Sequence, residues 1–359
     1  MKIVFVLPSI GIGGGTRVVF KHASMLRNKG HIVWIVFPQF PPIYIDDINT
    51  LRKIKYYIKK VIYNSSIQNS IDLFGEDINV TKIPYLHNRC FPNADVVIAT
   101  QWSTAKIVNC LDQSKGVKFY FIQGYETFTG PIDLVESTYS LSLNKIVVAT
   151  WLKSIIKDKY NQESSVVMNG VDTNLFFNDT SSNKDRNRKR VLMLYHSNPI
   201  KGIQDGISAF LLARKHSPNI DLVMFGVWKG NDVPEWVEFH VNPSQEQIRM
   251  LYCSSDVFVC PSKVEGFALP PMEAMACKVP TVLTNVGAIS EYSIAGTTAL
   301  LSEPGDVESL SRNIVKIVTN TTFAEEIGNS GYEHIKKYNW DNSNNEFENI
   351  LLNSLAQNL

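Results

Sequence analysis

An excess of charge of either sign is missing from this chain: 35 Lys and Arg stand against 34 Asp and Glu, a formal net charge of +1. No whole-chain attraction to nucleic acid follows, so any electrostatic partner must be met by a local patch. No apolar run approaches the roughly 18 residues of a membrane-spanning helix. The opening MKIVFVLPS runs straight into glycines with no small-residue cleavage pattern, so no secretory leader is expected. Cysteine is scarce. Cys90, Cys110, Cys253, Cys260 and Cys277 are odd in number, widely spaced and without a CxxC, which argues against a disulfide framework and a zinc site alike. A reduced, cytoplasmic setting is the expectation.

What is present is a repeating beat. KIVFVL reads as a buried strand, GIGGGT as a loop, RVVFKHASMLRNKG as a helix with Gly30 at its C-cap, and HIVWIVF as another buried strand. Continuous apolar strands alternating with amphipathic helices mean βαβ units in a parallel sheet. The beat continues through ADVVIAT, VKFYFIQ, KIVVAT and SSVVMNGVD, pauses at the polar NDTSSNKDRNRKR, and resumes at VLMLYH. The fold expected is α/β, two doubly wound Rossmann-like domains facing a cleft. Domain one covers 1–177, a linker 178–190 and domain two 191–337, with the last segment, 338–359, returning to the first domain as a helix. At 359 residues, two domains also fit the length prior.

The Gly-rich loop is not a dinucleotide fingerprint. G-x-G-x-x-G would need glycine where Thr16 stands, and the second strand ends at Phe37-Pro38 without the acid that binds a ribose. No phosphate-binding P-loop motif occurs either. A glycine loop at a strand's carboxyl end still lets backbone approach a ligand closely, which makes Gly14 and Gly15 candidates.

Two features of the second half point to an anion. Lys201 in SNPIKGIQDG sits at a helix start, where a cation opposes the helix dipole unless an anion lies between them; His196 ends the preceding strand and could donate to the same anion. In VEGFALPPMEAMAC, Pro270-Pro271 reads as a helix start with Glu273 in its first turn, and Glu265 precedes it by eight residues. Carboxylates are pure acceptors suited to vicinal hydroxyls, and the amides between them suit phosphate. One motif could hold a nucleotide sugar, with no metal needed, since fixed donors can stabilise a leaving diphosphate.

At these residues the chain resembles the family-4 glycosyltransferases of GT-B architecture. EGFALPPMEAMAC resembles their E-x(7)-E motif and NPIKG their K-G motif. VVMNGVDTNLF resembles N-G-V-D-x-x-x-F, SIGIGGGTRVV the N-terminal glycine loop, and KYNWDN the late Trp segment. The resemblance covers nearly the whole chain. It implies a retaining, metal-independent sugar transfer with no cofactor beyond the nucleotide-sugar donor. Catalytic roles then fall to Glu265, on the transferred sugar, and Lys201, on the diphosphate. Donor binding falls to Glu273 on the ribose, Gly266, Phe267, Ala268 and Leu269 through backbone, His196, and Gly14 and Gly15 from the first domain.

Three positions depart from the family pattern. His196 stands where Arg is frequent, Ala268 replaces the second glycine of G-F-G-L, and Gln123-Gly124 replaces a His-Gly, so a histidine base does not carry over. Gln123, Gly124, Glu126 and Trp102 are the acceptor-side candidates. The stretch YFIQGYE is similar to the YFIQDYE of some rhamnosyltransferase-like members.

Arg52, Lys53, Lys55, Lys59 and Lys60 interleave with Ile, Tyr and Val. This basic stretch, 51–63, reads as a solvated helix or as a peripheral contact with anionic lipid headgroups. The latter suits a lipid-linked glycan acceptor at the inner face of the cell membrane. The expectation is a hexosyltransferase of cell-surface glycan assembly. The alternatives are a GT-B sugar-nucleotide epimerase, a non-catalytic nucleotide-sugar-binding partner and, disfavoured by Thr16, an NAD-dependent oxidoreductase.

Overall fold

The computed structural model describes residues 1–11, 13–40, 58, 78–178 and 187–357. The basic stretch therefore lies outside the described residues, apart from Ile58. Two compact units form, Met1–Met168 with Asp341–Leu359, and Asn169–Trp340.

Unit 1 is built on seven strands: β1 (Lys2–Val6), β2 (Ile32–Pro38), β3 (Asn79–Ile83), β4 (Val96–Ala99), β5 (Val117–Ile122), β6 (Asn144–Val147) and β7 (Ser165–Val166). Their order is β3-β2-β1-β4-β5-β6-β7, every pair parallel. The inner strands are covered on both faces, which is why they read as unbroken apolar runs. The sequence reading had no strand at β3: its residues NVTKI form a mostly exposed edge, where polar side chains cost little.

The helix Trp340–Ala356 docks on unit 1 through an aromatic knot. Phe347 stacks on His22 at 4.4 Å and meets Phe121 edge-on at 5.2 Å. Burial pushes the His22 imidazole down to about 4, so it stays neutral. At the rim, Glu348 bridges Lys29 and His31.

Unit 2 holds β8 (Lys189–Leu194), β9 (Ile220–Gly226), β10 (Glu238–Val241), β11 (Val257–Cys260), β12 (Thr281–Thr284) and β13 (Leu300–Ser302). Their order is β10-β9-β8-β11-β12-β13, again all parallel. The half-exposed edge strand β10 is the second strand the sequence reading lacked.

The first boundary falls at Met168, not at 177, because the following residues pack within unit 2. Val171 N–H donates to Tyr338 O at 2.9 Å, and the Phe176 ring meets Tyr252 edge-on. Of the expected linker, 179–186 lie outside the described residues, while Lys189 and Arg190 already belong to β8. No helix among the described residues is long and apolar enough to cross a membrane.

Candidate active site

In an open parallel sheet, ligands collect beyond the strands' carboxyl ends where the strand order reverses. That point lies between β8 and β11 in unit 2, and between β1 and β4 in unit 1.

In unit 2, the segments leaving β8 and β11 are fastened together. Pro199–Lys201 make one 3-10 turn, capped by the Asn198 side chain, and Gly202 turns left-handed at φ 63° to start the helix Ile203–His216. A Cβ on Gly202 would stand 2.0 Å from Pro261 O, so only glycine permits this crossing. Lys263 N–H donates to Ile200 O at 2.7 Å. Across this junction Lys201 Nζ donates to both Glu265 oxygens, at 2.7 and 2.8 Å, and Ser262 Oγ donates to Oε1 at 2.7 Å. The anion expected at Lys201 is thus Glu265 itself, a carboxylate with a 10% exposed side chain.

His196 follows β8 and is exposed. Its Nδ1 accepts the Asn198 N–H at 3.0 Å, which fixes the neutral tautomer with the proton on Nε2. Partial desolvation of the ring, exposed on one side only, and the Lys201 charge hold its pKa below the usual range, against a smaller upward pull from Glu265.

The helix after this loop spans Leu269–Ala276 and starts one residue before the proline pair. Ala268 at φ 67° is its N-cap, which moves Glu273 from the first turn to the second. The glycine-like, left-handed geometry survives the change to alanine; Tyr292 OH holds it by donating to Ala268 O at 3.0 Å. Phe267 is buried against the Tyr292 ring, so its contribution to a ligand is backbone alone. The N–H groups of Phe267, Ala268 and Leu269 donate to no partner among the described residues, and Pro270 and Pro271 have none to offer. Glu273 is 5% exposed and accepts from Tyr252 OH at 3.2 Å. Gly266 packs beside Gly287, whose added Cβ would meet Glu265 O at 2.3 Å.

Unit 1 has the same topological point with different chemistry. Gly13 is the N-cap, and Gly14 and Gly15 are the first helical residues of Gly14–Asn28, rather than part of a free loop. None of the three needs positive φ. A Cβ on Gly13 or Gly14 would meet nothing within 4 Å, whereas one on Gly15 would touch the Gln123 amide, which itself donates to Gly15 O at 3.2 Å. Gly124 follows, half-buried. The Glu126 Oε2 accepts the Trp102 N–H at 3.1 Å, at the start of the helix Trp102–Asn109. Trp102 itself is 4% exposed, its ring against Gly130 and its Nε1 donating to Thr129 Oγ1 at 2.8 Å. This indole supports the loop instead of presenting a face to an acceptor.

The structure thus joins Lys201, Glu265 and the 266–269 backbone with His196 beside them, and separately joins Gln123 and Glu126 around the ends of β1, β4 and β5. Sequence reasoning missed Ser262, Tyr252 and Tyr292, which hold Glu265, Glu273 and Ala268. Ser262 lies three residues before Glu265 and was open to inspection; the two tyrosines carry no local signal. No cluster of metal-binding side chains occurs among the described residues.

Residues 176–334 match the family model described as glycosyl transferases group 1. The chain is similar to the O-antigen chain mannosyltransferase B of Escherichia coli, 33% identical over 107 residues, 30% of this chain and 28% of that protein. It therefore spans little more than a quarter of that relative's length. The capsular polysaccharide biosynthesis glycosyltransferase CapM of Staphylococcus aureus is 21% identical over 317 residues, 79% of this chain and 83% of that one. Among solved structures, Anabaena HepE in complex with UDP and glucose aligns with a TM-score of 0.75 at 16% identity, over 98% of this chain and 99% of that one. The two Rossmann-like units are those of the GT-B fold.

Proposed function

We propose that the chain is a glycosyltransferase that moves a hexose or deoxyhexose from a nucleotide sugar to a growing glycan, with retention and without a metal. The observation that carries this reading is the junction of Lys201, Glu265 and three unpartnered N–H groups at the switch point of unit 2. It lies inside the stretch that matches the glycosyl transferases group 1 model.

In this reading the amides of Phe267, Ala268 and Leu269, with Lys201 and the His196 Nε2–H, take the diphosphate. Fixed donors of this kind stabilise the leaving group as its charge develops. Glu273 takes ribose hydroxyls, and Glu265, already oriented by Lys201 and Ser262, takes hydroxyls of the transferred sugar. The two carboxylates then flank the phosphates without sharing their position. The crevice of unit 1, with Gln123, Gly124 and Glu126, receives the acceptor. The E. coli and S. aureus relatives are named for O-antigen and capsular polysaccharide, and HepE was solved with UDP and glucose, which supports a cell-surface glycan as product and a nucleotide sugar as donor. A lipid-linked acceptor at the cytoplasmic face, met through 51–63, completes the proposal.

Calorimetric titration with UDP-glucose and GDP-mannose tests it: binding of either, weakened in both Lys201→Ala and Glu273→Ala, is the expected result. Binding of NAD(H) with no response to nucleotide sugars would sink the reading. Proton NMR of the product's anomeric centre decides retention, and activity in excess chelator decides the metal.

A further inference from the structure

The seam that carries Lys201 and Glu265 is crossed a second time, in the opposite direction. Gly202, Asp205 and Gly206 fall at i, i+3 and i+4, so they share one face at the start of the helix Ile203–His216. That face meets the segment leaving β11. Gly202 presses on Pro261 O, and a Cβ on Gly206 would stand 2.8 Å from the Pro261 ring and 2.9 Å from Met193 Sδ. Between the two glycines Asp205 reaches Lys263, whose Nζ stands 2.9 Å from Asp205 Oδ2. Lys201 thus extends from the β8 side to a carboxylate on the β11 side, and Lys263 from the β11 side to a carboxylate on the β8 side.

The second pair differs from an ordinary surface contact in one respect. Asp205 Oδ2 is closed off from solvent and accepts no hydrogen bond among the described residues, so Lys263 Nζ is the charge that offsets its burial. Lys263 is held by its backbone as well, since its N–H donates to Ile200 O at 2.7 Å. Its chain neighbour Ser262 donates to Glu265 Oε1 at 2.7 Å and accepts from Thr284 Oγ1 through its carbonyl. A displacement of Lys263 therefore moves Ser262 and, through it, the carboxylate on which Lys201 rests. Taking away Lys263's charge leaves a buried carboxylate oxygen unpaired, and the segment 261–265 has to shift to hydrate it.

We propose that Asp205 and Lys263 are positioning residues for the diphosphate site of unit 2. Their ion pair fixes the segment 261–265, so that the Lys201 ammonium and the Glu265 carboxylate are set before a ligand arrives. Both act through Lys201 and Glu265 and touch no ligand themselves. Donors set in advance bind more tightly than mobile ones, because no ordering is charged against the association. The Lys263 side chain is 49% exposed, so the pair adds little to global stability, and its effect falls on affinity. This inference rests on the nucleotide-sugar reading above.

The test is calorimetric titration of the full chain with UDP and with GDP. Asp205→Asn keeps the shape of the side chain and removes its charge; it should weaken binding about tenfold, as should Lys263→Gln. Lys263→Arg, which keeps the charge, should bind as the wild type does. Melting temperatures should move by no more than about 4 °C in any of the three. Coupling separates positioning from mere packing. In a Lys201→Ala background Asp205→Asn should cost no more than about a factor of two, because the group it positions is gone. A full tenfold loss in that background overturns the proposal. So does a gain in affinity in Asp205→Asn, which would mean that Lys263, once freed, binds the phosphates itself. Unchanged affinity in both charge-removing variants overturns it too. Failure of both diphosphates to bind the wild type sinks the donor reading, and this proposal with it. Binding that depends on Lys201 but ignores Asp205 and Lys263 sinks this proposal alone.

Discussion

The two switch points of this molecule share one topology and differ in their chemistry. At β8/β11 the segments are locked by a bidentate ion pair, a left-handed glycine pressed on a carbonyl, and a strained N-cap alanine. At β1/β4 the helix opens on Gly14, with open space around it, and on Gly15, which lies against the Gln123 amide, while burial raises the pKa of the nearby Glu126 carboxyl. The first arrangement suits a multiply charged ligand, because its donors are fixed before the ligand arrives. The second offers an amide and a carboxyl, groups that suit a neutral hydroxyl better than a multiply charged ligand. In the proposed reading a common strand order sets where ligands collect, and the loops set which ligand each half would take.

Glycine substitutions should break the likeness most sharply. Gly202→Ala forces a Cβ to within 2.0 Å of Pro261 O at φ 63°. Overpacking and left-handed strain together should cost about 3–5 kcal/mol, read as a large drop in the denaturation midpoint. Gly14→Ala meets nothing within 4 Å and replaces glycine inside a helix, so it should stabilise by up to about 1 kcal/mol. Equal losses in both variants would show that the glycine helix of unit 1 is as tightly packed as the junction of unit 2.

Next in size is the charge that separates the two crevices. Lys201→Ala should weaken nucleoside diphosphate binding about a hundredfold in calorimetry, close to 2.7 kcal/mol. An affinity within a factor of three of the wild type would mean that Lys201 serves Glu265 alone.

Much of this was legible in the sequence. The inner strands announce themselves because both faces are buried, and the motif residues carry the family pattern in order. The edge strands β3 and β10 did not, because a half-exposed edge puts polar residues where an apolar run would be needed to see it. The pairing of Lys201 with Glu265 spans 64 residues, beyond any local spacing rule. The position of Glu273 shifts by one residue, from the end of the first turn to the start of the second, since prolines mark the first helical turn without fixing its first residue. The environment of Glu126 was hidden for another reason: desolvation is a property of what packs around a carboxyl, here Tyr120 and Tyr139, and neither neighbour reveals its orientation in sequence.

His196 offers a finer test of the charge contrast. As a neutral imidazole it would give one donor and no charge to the proposed diphosphate, whereas arginine would give a permanent charge and a forked donor. His196→Arg should tighten nucleoside diphosphate binding about tenfold at low salt, near 1.4 kcal/mol, with the gain shrinking as salt is raised. A gain that ignores ionic strength would assign the effect to packing.

The smallest effect concerns Ala268, the residue of the 266–269 loop whose backbone disagrees with its side chain. An L-residue with a Cβ pays about 1–2 kcal/mol in the left-handed region, and Ala268 sits there at φ 67°. Glycine would remove that strain but add freedom to the unfolded chain, an offset of about 0.4–1 kcal/mol. Ala268→Gly should therefore stabilise by only about 0.5–1 kcal/mol, a shift of one or two degrees in melting, with nucleotide affinity unchanged because the backbone N–H groups already point as glycine would place them. If affinity instead rises several-fold, the methyl group obstructs the ligand. If stability falls, the 8% exposed methyl contributes packing that outweighs its strain. Either result would locate the difference between the two crevices in this side chain as well as in the charges around it.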